Sequence, residues 1–228
     1  MSWADDRRRI RAIAWKDITT ERRSKAGFNS VVAFAVTSLV LFGFALGPEA
    51  RALREAAAGT LWIALLFAGV LAFNRSFHVE LEGGALDPLL IYPGRRWTIF
   101  AGKLLANLAF VGTILAIVVL VSLTLYQVPV PKAWPSVLLV LVLGTVGLVT
   151  LGTFYAAMAT RTRAREVLLP LLLFPMLVPV LLAAVSASKA LLTGDVMHES
   201  GAWIRFLLGY DVVFLTATLL VFEKIIEA

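Results

Sequence analysis

RSFHVELEGGALDPLLIYPGRRWTIFAGK, residues 75–103, is the stretch that lipid will not accept. It holds the acids Glu80, Glu82 and Asp87, the Gly83–Gly84 pair, Pro88 and Pro93, and the cations Arg75, Arg95, Arg96 and Lys103. One charged residue at the centre of a membrane helix costs about 2.5–3.5 kcal/mol on insertion scales, so a cluster of seven must face water. On each side lies an apolar run close to the ~20 residues a helix needs to cross a bilayer. The stretch is therefore a polar junction between two membrane helices.

Outward from it the rest of the chain repeats the pattern. Of 228 residues, 60% are hydrophobic and 16% charged, more apolar surface than a soluble domain of this size can cover. Apolar runs fall near 28–46, 59–74, 101–126, 135–159, 166–187 and 203–222. Sheet is excluded because an open edge finds no partner in lipid and the alternation of a barrel is missing. The expected fold is all-α: one domain over 1–228, with an interfacial helix over 1–25 and a six-helix bundle over 28–222. The third run is over-long and should tilt or project. Gly43 and Gly47, and Gly112, Gly144, Gly147 and Gly152 with their neighbouring threonines, read as close helix–helix contacts. Pro170, Pro175 and Pro179 make the fifth span either a bent packed helix or a cavity-lining one.

Before the first run, Ile10, Ile13, Ala14 and Ile18 recur at helical spacing among arginines, with Trp3 and Trp15 beside them. This reads as an amphipathic helix with arginines toward headgroups and its isoleucine stripe toward acyl chains. The interleaved acids and bases do not resemble a signal peptide. Sixteen Lys and Arg fall on one side of the spans and five on the other, which puts both termini and residues 75–103 in the cytoplasm. The net charge of +6 is thus topological, and nucleic acid is not an expected partner. The largest outer loop is placed at 186–202. Its His198, near Met197 and Trp203, is a candidate axial haem ligand, against the commoner reading of a solvated side chain. The absence of cysteine excludes disulfides and thiolate metal sites.

No P-loop, metal cluster or nucleophile–base pair is evident, so no catalytic residue is assigned and the chain is not read as an enzyme. The spans read as free of charged residues at mid-membrane, with Asn107 and Tyr155 their strongest polar groups. That argues against an ion-coupled transporter. Energy for any work across the membrane is expected to enter from another chain.

Arg75, Phe77, Glu80, Glu82, Gly84, Leu86, Asp87, Leu89, Leu90 and Pro93, followed by Lys103 opening the next span, resemble the haem exporter protein B (CcmB-type) permease subunit of the cytochrome c maturation ABC system. Leu169, Pro170, Pro175 and Pro179 of the fifth span, the six spans and the amphipathic N-terminus are also similar. The resemblance implies a bacterial inner-membrane subunit working with an ATP-binding ABC subunit, a haem-handling membrane protein and a periplasmic haem chaperone, as two copies in membrane lipid. ATP and Mg would sit on the partner, haem would be handled by partner proteins, and no cofactor would be bound directly. It also implies a coupling helix between spans 2 and 3. Its contacts would come from Glu80, Glu82, Gly83, Gly84, Leu86, Asp87, Leu89, Leu90 and Pro93, the acids meeting basic residues of the ATPase and the leucines forming an apolar ridge. Gly83 and Pro88 depart from the family pattern and should make that helix start later or run shorter. The alternatives are a permease of another ABC exporter, for lipid, drug or polysaccharide, and a non-transporting membrane scaffold.

Overall fold

The computed structural model describes residues 3–82, 95–129, 133–159, 165–195 and 198–225, with backbone only at 77–82, 159, 165–172 and 223–225. The regular structure among them is helical throughout. Helix α1 (Trp3–Arg23) is followed by α2 (Lys25–Leu46), α3 (Ala50–Glu82), α4 (Trp97–Leu125), α5 (Trp134–Ala159), α6 (Arg165–Thr193) and α7 (Ser200–Ile225). Helices α2 to α7 each carry a segment long and apolar enough to cross a membrane. The chain is a multi-pass membrane protein.

Helix α3 is the axis of the bundle, packed against α2, α4, α5 and α6. It also explains where the polar stretch begins. At 1.5 Å per residue its 33 residues run about 50 Å, some 20 Å longer than a ~30 Å hydrocarbon core. Hydropathy ends near residue 74 but the helix does not, because no breaker occurs before the Gly83–Gly84 pair. Arg75 to Glu82, expected as the start of a loop, therefore continue α3.

Without a hydrophobic drive between helices in lipid, the bundle is held by close approach and interhelical hydrogen bonds. Close approach is supplied by glycines of α5. A Cβ on Gly144 would strike the Trp62 ring, and one on Gly152 the Phe73 ring. Trp62, fully buried, donates from Nε1 to Ser188 Oγ at 3.0 Å and joins α3 to α6. Asn107 Nδ2 donates to Thr153 Oγ1 at 2.9 Å between α4 and α5. Tyr126 and Tyr210 donate to the backbone carbonyls of Leu39 and Met176 at 2.8 and 2.6 Å. The small-residue reading thus holds for Gly144, Gly147 and Gly152, and for Gly43 beneath Tyr126. It fails at Gly47 and Gly112, which face open space. Gly47, at φ +79° and followed by Pro48, ends α2 instead: its N–H returns to Phe44 O at 3.2 Å.

One further expectation is corrected. The outer loop placed at 186–202 is shorter than expected, because α6 continues to Thr193 and α7 begins at Ser200. Ser188 meets Trp62 inside the bundle, and Thr193 Oγ1 donates to Lys189 O at 2.9 Å within the helix. Pro175 and Pro179 are exposed on a continuous α6, and the side chain of Pro170 lies outside the described residues.

Candidate functional site

The two roots of the polar stretch, the end of α3 and the start of α4, are both fastened to α1. At the α3 root, Arg75 Nε lies 3.3 Å from Glu21 Oε1, an ion pair without hydrogen-bond alignment, while Arg75 Nη2 donates to Ser24 Oγ. The guanidinium lies over Gly27 so closely that a Cβ there would overlap it. At the α4 root, Lys103 Nζ donates to Asp17 Oδ2 at 3.2 Å and to Ser76 O at 3.3 Å. The lysine is therefore bonded to α1 and α3 while belonging to α4. Its side chain is 1% exposed. Just ahead of α4, Arg95 Nη1 stands 3.9 Å from the buried Asp6 carboxylate.

Between these charges α1 packs on α4 directly. A Cβ on Gly102 would come within 2.8 Å of Ile13 Cβ and 3.1 Å of Ile10 O. Ile13 and Ala14 are buried by this contact. The isoleucine stripe, expected to face acyl chains, is turned to protein. Trp3 and Trp15, each 69% exposed, are what the helix leaves for headgroups. The physical reason is visible in the register. Asp6, Ile10, Ile13, Asp17 and Glu21 lie four, three, four and four residues apart, one face of a 3.6-residue helix. A lipid-facing stripe would not carry three carboxylates, whereas a face opposing Arg95, Lys103 and Arg75 needs them. Burial raises the pKa of Glu21, with the Arg75 charge pulling against it and Asp17 adding to it.

Of the coupling residues expected from the sequence, Glu80 and Glu82 stand in the last turn of α3. Gly83, Gly84, Leu86, Asp87, Leu89, Leu90 and Pro93, together with Pro88 and the short helix they were to form, lie outside the described residues. His198 is exposed between α6 and α7 at φ +53°, its N–H bonded to Asp195 O at 3.0 Å. There Asp195 accepts from Ser200 N at 3.2 Å and from Ser200 Oγ, which holds its carboxyl below the usual range.

The site residues that sequence reasoning missed are Asp6, Asp17 and Glu21, whose coincidence with the isoleucine stripe was the available signal. It also missed Asp211. The spans are not free of mid-membrane charge, because Asp211 lies near the middle of α7 and is only 7% exposed. Its Oδ1 comes within 2.8 Å of where a Cβ on Gly147 would stand, and neither carboxylate oxygen has a hydrogen-bond partner among the described residues. With Asp211 buried in α7, uncharged spans no longer weigh against ion coupling.

Comparison with known proteins converges on one group. Residues 8–226 match the family model described as CcmB protein. Heme exporter protein B of Paracoccus denitrificans is 34% identical over 180 residues, 79% of this chain and 82% of that protein. Those of Rhodobacter capsulatus and Pseudomonas aeruginosa are each 33% identical over 174 residues, 76% of this chain and 79% and 77% of theirs.

Proposed function

The chain belongs to the CcmB protein family, and we propose from this premise that it is the membrane-spanning permease component of a haem exporter serving cytochrome c maturation. It sits in the bacterial inner membrane with both termini and the 75–103 stretch in the cytoplasm. A separate ABC subunit binds ATP and Mg and seats residues 77–97 in a groove on its surface. A haem-handling membrane protein and a periplasmic haem chaperone carry the haem, two copies of the chain act together, and ATP turnover drives delivery to the chaperone or its release. His198, alone and exposed, is not needed as a ligand in this scheme.

The observation that carries the reading is the double fastening of the stretch. A push on a loop tied only to its own two helices would be lost in flexing. Here Arg75 and Lys103 tie both roots to α1, so a displacement of residues 77–97 moves α3, α4 and α1 as one body. Because α3 is the axis of the bundle, that displacement reaches α2, α5 and α6.

The test is charge reversal at Glu80, Glu82 and Asp87. It should abolish co-purification of the ATPase and production of cytochrome c. An intact complex with normal cytochrome c would sink the reading. Retention of the ATPase with a different substrate exported would assign the chain to another ABC export pathway.

A further inference from the structure

Beside the fastened roots, α1, α2, α3 and α4 leave a cavity of about 540 Å³, within the ~300–1,000 Å³ usual for small-molecule sites. Its two ends differ in chemistry. At the α1 end stand Lys16, Arg22 and Lys25; at the other, Phe28 and Phe110 meet edge to face at 5.7 Å, with Thr113 beyond them. Arg22 and Lys25 are exposed and make no ion pair among the described residues. The two carboxylates on the wall, Asp17 and Glu21, are held by Lys103 and Arg75, so the mouth presents net positive charge.

The depth of the cavity is set by α4. From Lys103, level with α1, to Thr113 is ten residues, about 15 Å of helix rise and half of a ~30 Å hydrocarbon core. The groove therefore starts at headgroup level and ends near the bilayer midplane. That is the span of one lipid in one leaflet.

We propose that this groove is a binding site for an anionic phospholipid, its phosphate held by Arg22 and Lys25 and one acyl chain lying along Phe28 and Phe110. The inference rests on the six-span fold and not on what the complex exports. A bound lipid would fill the gap between α1 and α2–α4, so its affinity bears on how firmly α1 is seated.

The test uses the full-length chain, purified in detergent and transferred to the gas phase for native mass spectrometry. It is titrated with phosphatidylglycerol or phosphatidylcholine of identical acyl chains. One phosphatidylglycerol should be retained per chain at roughly tenfold lower concentration than phosphatidylcholine, and the preference should shrink as salt rises. The Arg22→Gln/Lys25→Gln variant should keep its helical circular dichroism and lose the preference. Phe110→Trp, which fills the apolar end, should weaken both lipids alike. Equal retention of the two lipids, or a preference that survives the double variant, would overturn the proposal. So would full competition by glycerol phosphate, which would make the site one for a soluble anion, or a lipid-free dimer with the groove covered by a second chain.

Discussion

Asp17 offers an internal comparison, because it faces two lysines at the same distance. Lys16 Nζ and Lys103 Nζ each lie 3.2 Å from one of its oxygens, but their side chains are 44% and 1% exposed. Coulomb attraction at equal distance scales inversely with the effective dielectric constant, so burial alone decides which pair matters. Deleting one partner of a buried pair leaves the other charge uncompensated, at about 3–5 kcal/mol. Asp17→Ala should fall near the low end, about 3 kcal/mol, because Ser76 O remains within reach of the ammonium and Asp17 itself is 16% exposed. Lys16→Ala removes a solvent-screened pair with Asp17 and should cost under about 1 kcal/mol. The assay is reversible unfolding of the purified chain in mixed micelles, followed by helical circular dichroism, with cytochrome c production scored in parallel. Asp17→Ala should lose both stability and output, and Lys16→Ala neither. Equal costs for the two substitutions, or a cost below about 1 kcal/mol for Asp17→Ala, would refute the claim that a buried charge fastens α1 to the α4 root.

Two other outcomes follow from positions already described. Gly152→Val drives a branched side chain into the Phe73 ring and should destabilise by at least the ~1–3 kcal/mol of core overpacking, whereas Gly112→Ala, inside α4 and facing open space, should not destabilise and should gain up to about 1 kcal/mol of helix propensity; the same unfolding assay distinguishes them. Glu21 carries a pH signature whose sign is fixed. Its folded pKa is raised above the ordinary 4.5, so the folded state holds its proton more tightly. The stability this gives is fully present below 4.5 and is lost as pH rises through the raised value. The wild-type chain should therefore lose more unfolding free energy than Glu21→Gln between pH 4.5 and 7, and parallel profiles would contradict the assignment.

Hydropathy and the helical period made six spans and an N-terminal helix legible, because both depend on local composition. What they do not encode is the medium a face meets. The spacing of Ile10, Ile13 and Ala14 defines a stripe, but lipid and a neighbouring helix are equally apolar. Only the carboxylates of Asp6, Asp17 and Glu21 in the same register distinguish them. Helix ends failed for a related reason. Hydropathy falls at Arg75 and rises again late after Ser186, while backbone helicity follows breakers, so α3 outlasts its apolar run and α6 absorbs half of the expected loop. Asp211 escaped notice as one charge in a run whose average stays apolar. The expected coupling residues rest on resemblance and a polar cluster rather than on any packing pattern, and most of them lie outside the described residues.

The fastening of α1 also sets an order of events during synthesis. Asp17 leaves the ribosome 86 residues ahead of Lys103, an interval of about 4–17 s at the usual 5–20 residues per second. Glu21 waits a shorter time for Arg75, about 3–11 s at the same rate. For that time α1 has no α4 to lie on, and its isoleucines and carboxylates have only the membrane surface for company. Glu21 is matched at the end of the second span, and Asp17 and Ile13 when the third enters. A chain stopped before α4 presents an undocked α1, and a completed one hides it, so the docking of the first helix reports that the first half of the protein has been inserted.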